Sequence, residues 1–325
     1  MIDKAVNCSI SHDSDQYLFP ITYIIVIVIS IPTNCISLWV SCLQIKKKNE
    51  LGIYLFNLSF ADLIYTLILP VWVYYSLSHN NWKLPEHMCS VVAFLLHTNL
   101  YSSAGFLTCI SIDRYLAVVH PLKFSYLRTR KTAALVSFLV WLMQHLSNAI
   151  ILAKVQLFNS SGDLTCYDVF PMENWKSDFS IINVCIGHFV PLFIMVLCYQ
   201  RIFAAVKTNQ ATADKDKQKI KQLLLIIIVT FVISFSPYHV ILLIRSIWEP
   251  GNCNFAQKMF LPYKLTLALT SINCIADPLL YCFVSEAGRA DVKTIFQCCV
   301  QQRESSEKSL ILMSTFTANN NQEKT

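Results

Sequence analysis

Charge is scarce in this sequence of 325 residues, and its scarcity is the first constraint on what the chain can be. Asp, Glu, Lys and Arg make up 14% of it against 54% hydrophobic residues, mean hydropathy is +0.47, and none of the four occurs from Met88 to Ile112. That composition excludes an ordinary soluble domain. Glycine is sparse as well, six in the whole chain, and no Gly-rich linker is present. The HExxH, GxSxG and P-loop patterns are all missing, which removes the usual signatures of metal-dependent hydrolysis, acyl transfer and nucleotide turnover. Internal repeats with a period of about 20 to 50 residues are also absent. A cleavable leader is not expected, because residues 1–16 are polar and acidic and the first apolar run is already a full span.

What the sequence has is long apolar runs. A hydrocarbon core of about 30 Å takes roughly 20 helical residues to cross. Seven runs meet that length, near 17–43, 51–77, 87–119, 132–152, 179–206, 220–248 and 260–284. In lipid each run can satisfy its backbone hydrogen bonds only as helix, so the expected fold class is all-α, a seven-transmembrane helix bundle over 17–284. Lys46, Lys47, Lys48, Lys123, Arg128, Arg130, Lys131 and the basic run 207–221 fall in loops on one side. Asp3, Asp13, Asp15, Glu86, Asp163, Asp168, Glu173, Asp178 and Glu249 crowd the other. The positive-inside rule then predicts a multi-pass plasma-membrane protein with residues 1–16 as an extracellular tail and the C-terminus in the cytoplasm. The net charge of +6 follows from that topology and gives no reason to expect nucleic acid.

Of thirteen cysteines, most lie within spans and serve as small apolar residues, while four fall on the outer side. Cys89 opens the third span and Cys166 lies in the second outer loop, so a bridge between them would pin that loop over the bundle mouth. Cys8 and Cys253 form the other candidate pair, tying the tail to the loop before the seventh span. The sequons at Asn7 and Asn159 are candidate glycosylation sites on the same side. After the last span, Val292, Ile295 and Phe296 share a face flanked by Arg289 and Lys293, which reads as a short amphipathic eighth helix over 285–300 lying on membrane lipid. Cys298 and Cys299 follow as palmitoylation candidates, with free thiols the alternative. The polar tail 301–325 is expected to be disordered.

Ionisable groups inside spans are costly, so each is a functional candidate. Asp62 and Asp277 fall mid-bundle with Asn34, Asn99, Ser103 and Asn273 supplying further polar atoms. Such a cluster can hold water, a shared proton or a hydrated cation such as Na+, or can be a purely structural seam. No other cofactor or metal is expected. Asp113 and Arg114 occur together where the third span meets the cytoplasm. Arg114 can pair with Asp113 in one packing and reach the hydroxyls of Tyr199 and Tyr281 in another, which makes a latch, although an interfacial Asp–Arg pair can also simply mark a helix end. Pro191, Pro237 and Pro278 give the fifth, sixth and seventh spans places to bend.

Asn34, "LSFAD", "DRY", Trp141, Pro191, "FVISFSP" and "DPLLY" together resemble the rhodopsin-like family of G-protein-coupled receptors through all seven spans. The resemblance implies an activation switch of Asp113, Arg114, Tyr199, Phe235, Pro237 and Tyr281, with a heterotrimeric G protein as partner and arrestin and receptor kinases as further ones. Phe235 stands where many relatives have Trp, Asp277 replaces a commoner Asn, and Lys217 lies where some members have an acid for Arg114. The stretches "ELGIYLFNLSFADLIYTLILPVW" and "LALTSINCIADPLLYCFV" resemble the proton-sensing branch. That implies protons as agonist, the stimulatory G protein and cyclic AMP, although Gln144 replaces a buried Glu usual in the branch and leaves its acidic triad with Asp62 and Asp277 incomplete.

Histidine is the side chain that titrates unperturbed near physiological pH. The outer candidates are His12, His79, His87, His188 and His239, with His12 and His239 first and Asp13, Asp168 and Glu173 as acidic partners for the protonated rings. His97 and His145 are expected within the bundle and His120 at the cytoplasm. The alternative is a receptor for a lysolipid, a nucleotide or another anionic small ligand, since His239, Arg245 and Lys264 face or border the mouth. A retinal-binding pump is disfavoured because Lys264, the Lys of the seventh span, lies at its outer end.

Overall fold

In the computed structural model the described residues are Cys8 and residues 15–154, 157–160, 163–167, 169–208 and 214–279. Asn7, His12, Asp13, Asp168, Tyr281, Cys298, Cys299, the expected eighth helix and the tail lie outside them, and Asn159 and Lys217 are described by their backbone alone. The helices are α1 (Asp15–Lys46), α2 (Leu51–Leu77), α3 (Glu86–Val119), α4 (Arg130–Lys154), α5 (Asn174–Val184), α6 (Val190–Thr208), α7 (Asp214–Trp248), α8 (Cys253–Thr270) and α9 (Asn273–Leu279). The fifth span comprises α5 and α6, and the seventh comprises α8 and α9. One antiparallel hairpin, β1 (Leu157–Ser160) and β2 (Asp163–Cys166), occupies the loop after α4 and is the single departure from an all-α chain among the described residues.

Six helical segments are long and apolar enough to cross a membrane, and α3 is not among them. The reason is position. Buried side chains occur along nearly the whole of α3, from Cys89 to Asp113, so protein and not lipid surrounds it, and polar residues such as Ser90, Thr98, Asn99, Ser102, Ser103 and Ser111 are tolerated there. The contrast is α4, whose buried residues are Ala133, Ser137, Asn148 and Ile151, while Leu135, Phe138, Leu142, Met143 and Leu146 face outward. Polar bonds cross between helices. Trp141 Nε1 donates to Asn57 Oδ1 at 2.8 Å, Ser59 Oγ to Ser37 Oγ at 2.6 Å, and Asn34 Nδ2 to the Cys274 carbonyl at 2.8 Å. With no hydrophobic drive between helices in lipid, such bonds and close packing hold a bundle together.

Two spans are irregular where the function will need them. Between α5 and α6 the segment Cys185–Phe189 is a π-helical turn, closed by the Val190 N–H donating to the Cys185 carbonyl. Pro191 follows and has no N–H to return to the preceding turn. Gly187 lets this wide turn approach α3: a Cβ there would lie 2.5 Å from Tyr101 Cδ1. The seventh span breaks at Ser271 and Ile272, just before the short α9 that carries Asp277 and Pro278.

At one end of the bundle Cys89 bridges Cys166 and Cys8 bridges Cys253, with Cα–Cα distances of 5.7 and 5.6 Å. The first bridge fastens β2 to α3, and the Leu164 carbonyl accepts from Trp82 N at 2.7 Å beside it. At the other end α1 and α2 come so close that a Cβ on Gly52 would meet Gln44 Cβ and the Ser41 carbonyl, each at 2.9 Å. Because the second of these is backbone, Gly52→Ala must push the two helices apart, at about 1–3 kcal/mol for overpacking. A lower melting temperature of the detergent-solubilised protein and a reduced surface level are expected. An unchanged melting temperature would mean the helices separate freely at this point.

Candidate functional site

Asp62 and Asp277 are both fully buried, at 0% and 1% exposure. Asp62 Oδ1 accepts from Asn99 Nδ2 at 3.0 Å, Ser103 Oγ at 3.4 Å and Cys274 Sγ at 3.5 Å. Asp277 Oδ2 accepts from Asn273 Nδ2 at 2.7 Å. The structure therefore gathers Asp62, Asn99 and Ser103 with Cys274, whose carbonyl also holds Asn34, beside the Asn273–Asp277 pair; Cys274 is the addition, which the spacing of polar residues could not single out among so many apolar cysteines. Their second oxygens, Asp62 Oδ2 and Asp277 Oδ1, are buried with no hydrogen-bond partner among the described residues, as are Asn34 Oδ1 and Asn273 Oδ1. Four unsatisfied hard oxygens in one seam suit a small hard cation or protons. Among the described residues no three His, Cys, Asp or Glu side chains are arranged to hold a metal ion.

At the end opposite the disulfides, Arg114 donates from Nε to Asp113 Oδ2 at 3.0 Å, and its Nη2 closes on the same oxygen. The pair is not alone. Arg128 donates from Nε to Asp113 Oδ1 at 3.4 Å and from Nη2 to Glu50 Oε1 at 2.6 Å. Sequence reasoning treated Arg128 as one more basic loop residue and passed over Glu50, yet Glu50 is the lone acid in the basic stretch "IKKKNEL", and that isolation was its signal. Tyr199 packs against Phe203 with ring centres 6.2 Å apart.

The histidines require the largest correction. His188 and His239, expected at the outer surface, are each 1% exposed and lie face to face, ring centroids 4.2 Å apart and 5° from parallel. Phe231 stacks on His188 at 5.3 Å, Tyr101 stands edge-on to His239 at 5.6 Å, and Tyr238 does so at 5.1 Å. The π-helical turn and the Gly187 contact bring His188 inward, and His239 sits two residues beyond Pro237 on α7. His239 Nδ1 bonds the Phe235 carbonyl at 2.8 Å, and since a carbonyl only accepts, that nitrogen carries the hydrogen. His239 Nε2 and both His188 nitrogens have no partner among the described residues. Phe235 itself is buried against Phe231, 5.0 Å between ring centres.

Other expectations shift as well. His79 and His87 are exposed as anticipated, and His97 is buried. His145, expected within the bundle, is exposed on the outer face of α4, because only that helix's other side meets protein. Glu173 accepts from Trp175 Nε1 at 2.8 Å, an indole and not an imidazole. Arg245 is 3% exposed and forks onto Glu249, Nε to Oε2 at 2.5 Å and Nη2 to Oε1 at 2.8 Å, with Glu249 also accepting from Met172 N at 2.9 Å. It is thus a structural ion pair. A small cleft lies at the disulfide-bonded end, walled by Trp72, Tyr75, His97, Tyr167, Tyr238 and Lys264 among others. Trp72 Nε1 is a buried donor with no acceptor among the described residues.

A helical bundle crossing a membrane several times, with an aromatic cleft at one end, an Asp–Arg ion pair at the other and a polar seam between them, is the architecture of a transmembrane receptor. The chain belongs to the rhodopsin family of seven-transmembrane receptors, matching the family described as "7 transmembrane receptor (rhodopsin family)" over residues 33–281. It is 45% identical over 308 residues to G-protein coupled receptor 65 of Homo sapiens, covering 91% of each chain. To G-protein coupled receptor 68 of Homo sapiens it is 40% identical over 299 residues, 92% of this chain and 82% of that one. Lysophosphatidic acid receptor 6 of Gallus gallus is 31% identical over 293 residues, 87% and 94% of the two chains.

The wider latch makes a prediction that the Asp113–Arg114 pair alone does not. Glu50→Gln frees Arg128 from α2, so it should raise basal G-protein activation in the same direction as Asp113→Asn. A rise of about fivefold or more corresponds to roughly 1 kcal/mol or more of lost restraint. Arg114→Ala should reach the surface and stay silent. Guanine-nucleotide exchange on purified receptor with G protein reads all three. Basal exchange unchanged by Glu50→Gln would confine the latch to Asp113 and Arg114.

Proposed function

We propose that this receptor stands in the plasma membrane with its disulfide-bonded end outside, responds to extracellular acid, and activates a heterotrimeric G protein, the stimulatory one that raises cyclic AMP. The observation that carries this reading is the buried His188–His239 pair. Two neutral rings stack favourably at 4.2 Å. Two charged rings at about 4 Å repel by about 4 kcal/mol at an effective dielectric of 20. No carboxylate bonds either ring among the described residues to offset that repulsion.

The sign follows from linkage. A state in which α7 and the π-helical turn draw apart lets each ring take a proton and find water, so it binds protons more tightly than the stacked state. Lowering pH then favours the separated state. Because α7 also carries Phe235 and Pro237, parting the pair displaces the helix that must move for the latch at the far end to open. One proton supplies at most about 1.4 kcal/mol per pH unit, whereas a nearly complete switch takes about 5.5 kcal/mol. Roughly four coupled groups are needed for a steep response, and the pair supplies two. His12, His79 and His87 on the outside and the unsatisfied Asp62–Asp277 seam supply the rest, the seam exchanging Na+ or protons between states. Arrestin and receptor kinases act on the tail, Asn7 and Asn159 carry glycans, and Cys298 and Cys299 carry acyl chains in this reading.

A second reading, a receptor for a lysolipid, nucleotide or other anionic ligand, draws support from the cleft, where Lys264 and the unpartnered Trp72 N–H are donors for an anionic headgroup. Against it, Arg245 is neutralised by Glu249. Cyclic AMP in cells expressing the chain, followed from pH 8 to pH 6 without added ligand, separates the two. For the proton reading, His188→Phe with His239→Phe keeps the aromatic packing and removes both titrating rings. The midpoint should move to lower pH by about half a unit or more and the curve should flatten. If midpoint and slope stay with the parent, the pair is packing and nothing else.

A further inference from the structure

The end of the bundle opposite the disulfides carries more positive charge than its ion pairs use. The stretches "KKKNEL" (46–51) and "RTRKT" (128–132) hold six cations and a single acid, Glu50. Arg128 Nη2 donates to Glu50 Oε1 at 2.6 Å, and this bond draws the α1–α2 turn and the start of α4 together. Lys48 and Arg130 each stand two residues from it, at most about 8 Å along the backbone. Lys46, Lys48, Arg130 and Lys131 are all exposed, and none of the four forms a salt bridge among the described residues. Both segments are held in shape. In the α1–α2 turn Lys48 has φ +63°, its N–H donates to the Ile45 carbonyl and the Asn49 N–H to the Gln44 carbonyl, each at 3.0 Å, which is a left-handed helix cap. Thr129 Oγ1 accepts from Thr132 N at 3.2 Å and so caps α4, leaving Arg130 and Lys131 in its first turn. Cations at that end oppose the helix dipole, and an anion placed there offsets them.

We propose that the α1–α2 turn and the start of α4 together bind the polyphosphorylated headgroup of an inositol lipid. Phosphate oxygens suit this set of donors, since arginine forks onto a phosphate and lysine meets it as a point charge. Four exposed cations fixed on two adjoining segments exceed what one phosphodiester can meet, so the headgroup carries two or more phosphates. A lipid is favoured over a soluble phosphate by what lies on the hydrocarbon side of the cluster. Leu135 and Phe138 of α4 face outward, and Phe60 of α2 is exposed beside Trp141 of α4, ring centres 6.3 Å apart. An acyl chain lying along this α2–α4 face leads from the bilayer to the cations, an approach that a soluble inositol phosphate cannot use. The placement rests on the orientation proposed above, which puts this end at the cytoplasmic leaflet. Glu50 is the acid inside the site, and a phosphate that draws on Arg128 competes with it and with Asp113.

Binding of dioctanoyl phosphatidylinositol bisphosphate to the purified full-length receptor in detergent, followed by native mass spectrometry with phosphatidylserine and inositol trisphosphate as competitors, is the measurement. It reads neither signalling nor orientation, so the acid-receptor reading can fail while the site stands, and the reverse. Saturable binding is expected. Arg130→Gln with Lys131→Gln should weaken it by about tenfold or more, and Lys46→Gln with Lys48→Gln, in the other segment, should do the same. Glu50→Gln removes the competing acid and should tighten it. Arg201→Gln with Lys207→Gln removes two exposed cations from α6, which packs against α3 and α7, and should leave it unchanged. Equal weakening by all three double variants would mean a diffuse attraction to the basic face and overturn the site. Displacement by phosphatidylserine at equal concentration would overturn the phosphorylated headgroup, and displacement by inositol trisphosphate at equal concentration would overturn the lipid. Double variants at 46 and 48 or at 130 and 131 that keep lipid binding but lose G-protein activation would make the cluster a protein-docking surface instead.

Discussion

In hydrocarbon no polar group can fall back on water, and this single constraint arranges the whole bundle around α3. Backbone groups are satisfied by helix formation itself, which dictates the spans. Side chains have no such local solution. They must meet partners on other helices, and the helix in the middle is where partners converge: Asn99 and Ser103 reach Asp62, Asp113 reaches Arg128, Thr98 receives Asn148, and His97 receives Tyr167. The polar residues that α3 carries along its buried length are thus the trace of its being enclosed.

A polar column inside such a bundle is useful because its alternatives are few and discrete. The Asp62–Asp277 seam leaves oxygens unsatisfied, the histidine pair leaves nitrogens unsatisfied, and the Arg114 latch has a shared anion and two cations competing for it. Buried polar groups left in this condition are sensitive to one added charge, at a cost or gain of a few kcal/mol. The irregular backbone lies beside them. The π-helical turn carries His188, Pro237 follows Phe235, and the break at Ser271 and Ile272 precedes Asp277. Helices bend most easily where the ladder is already interrupted, so bending costs least at these three places.

How much of this was legible beforehand divides along a physical line. The membrane spans, the disulfide partners, the polar cluster around Asp62 and the Asp113–Arg114 pair are visible in the sequence because each rests on length, charge or chemistry that a residue carries wherever it is. The histidines were only half legible. Resemblance to the proton-sensing branch singled out His239, but its environment was misjudged, because an acidic partner was sought and the ring it stacks on is a second imidazole. His97 was set aside as an interior residue, and nothing local could say that its Nε2 would meet a tyrosine 70 positions later.

By itself the sequence determined the number of spans, their helical form and the chemistry available inside them, since a bilayer imposes those on any chain with these apolar runs. Tertiary structure alone decided which polar groups touch. Registry between helices depends on one residue more in the turn before Pro191, on the room that Gly52 and Gly187 leave, and on a hairpin held at Cys166. A shift of one position on a helix turns a side chain by about 100°. That is the difference between His188 in lipid and His188 stacked on His239.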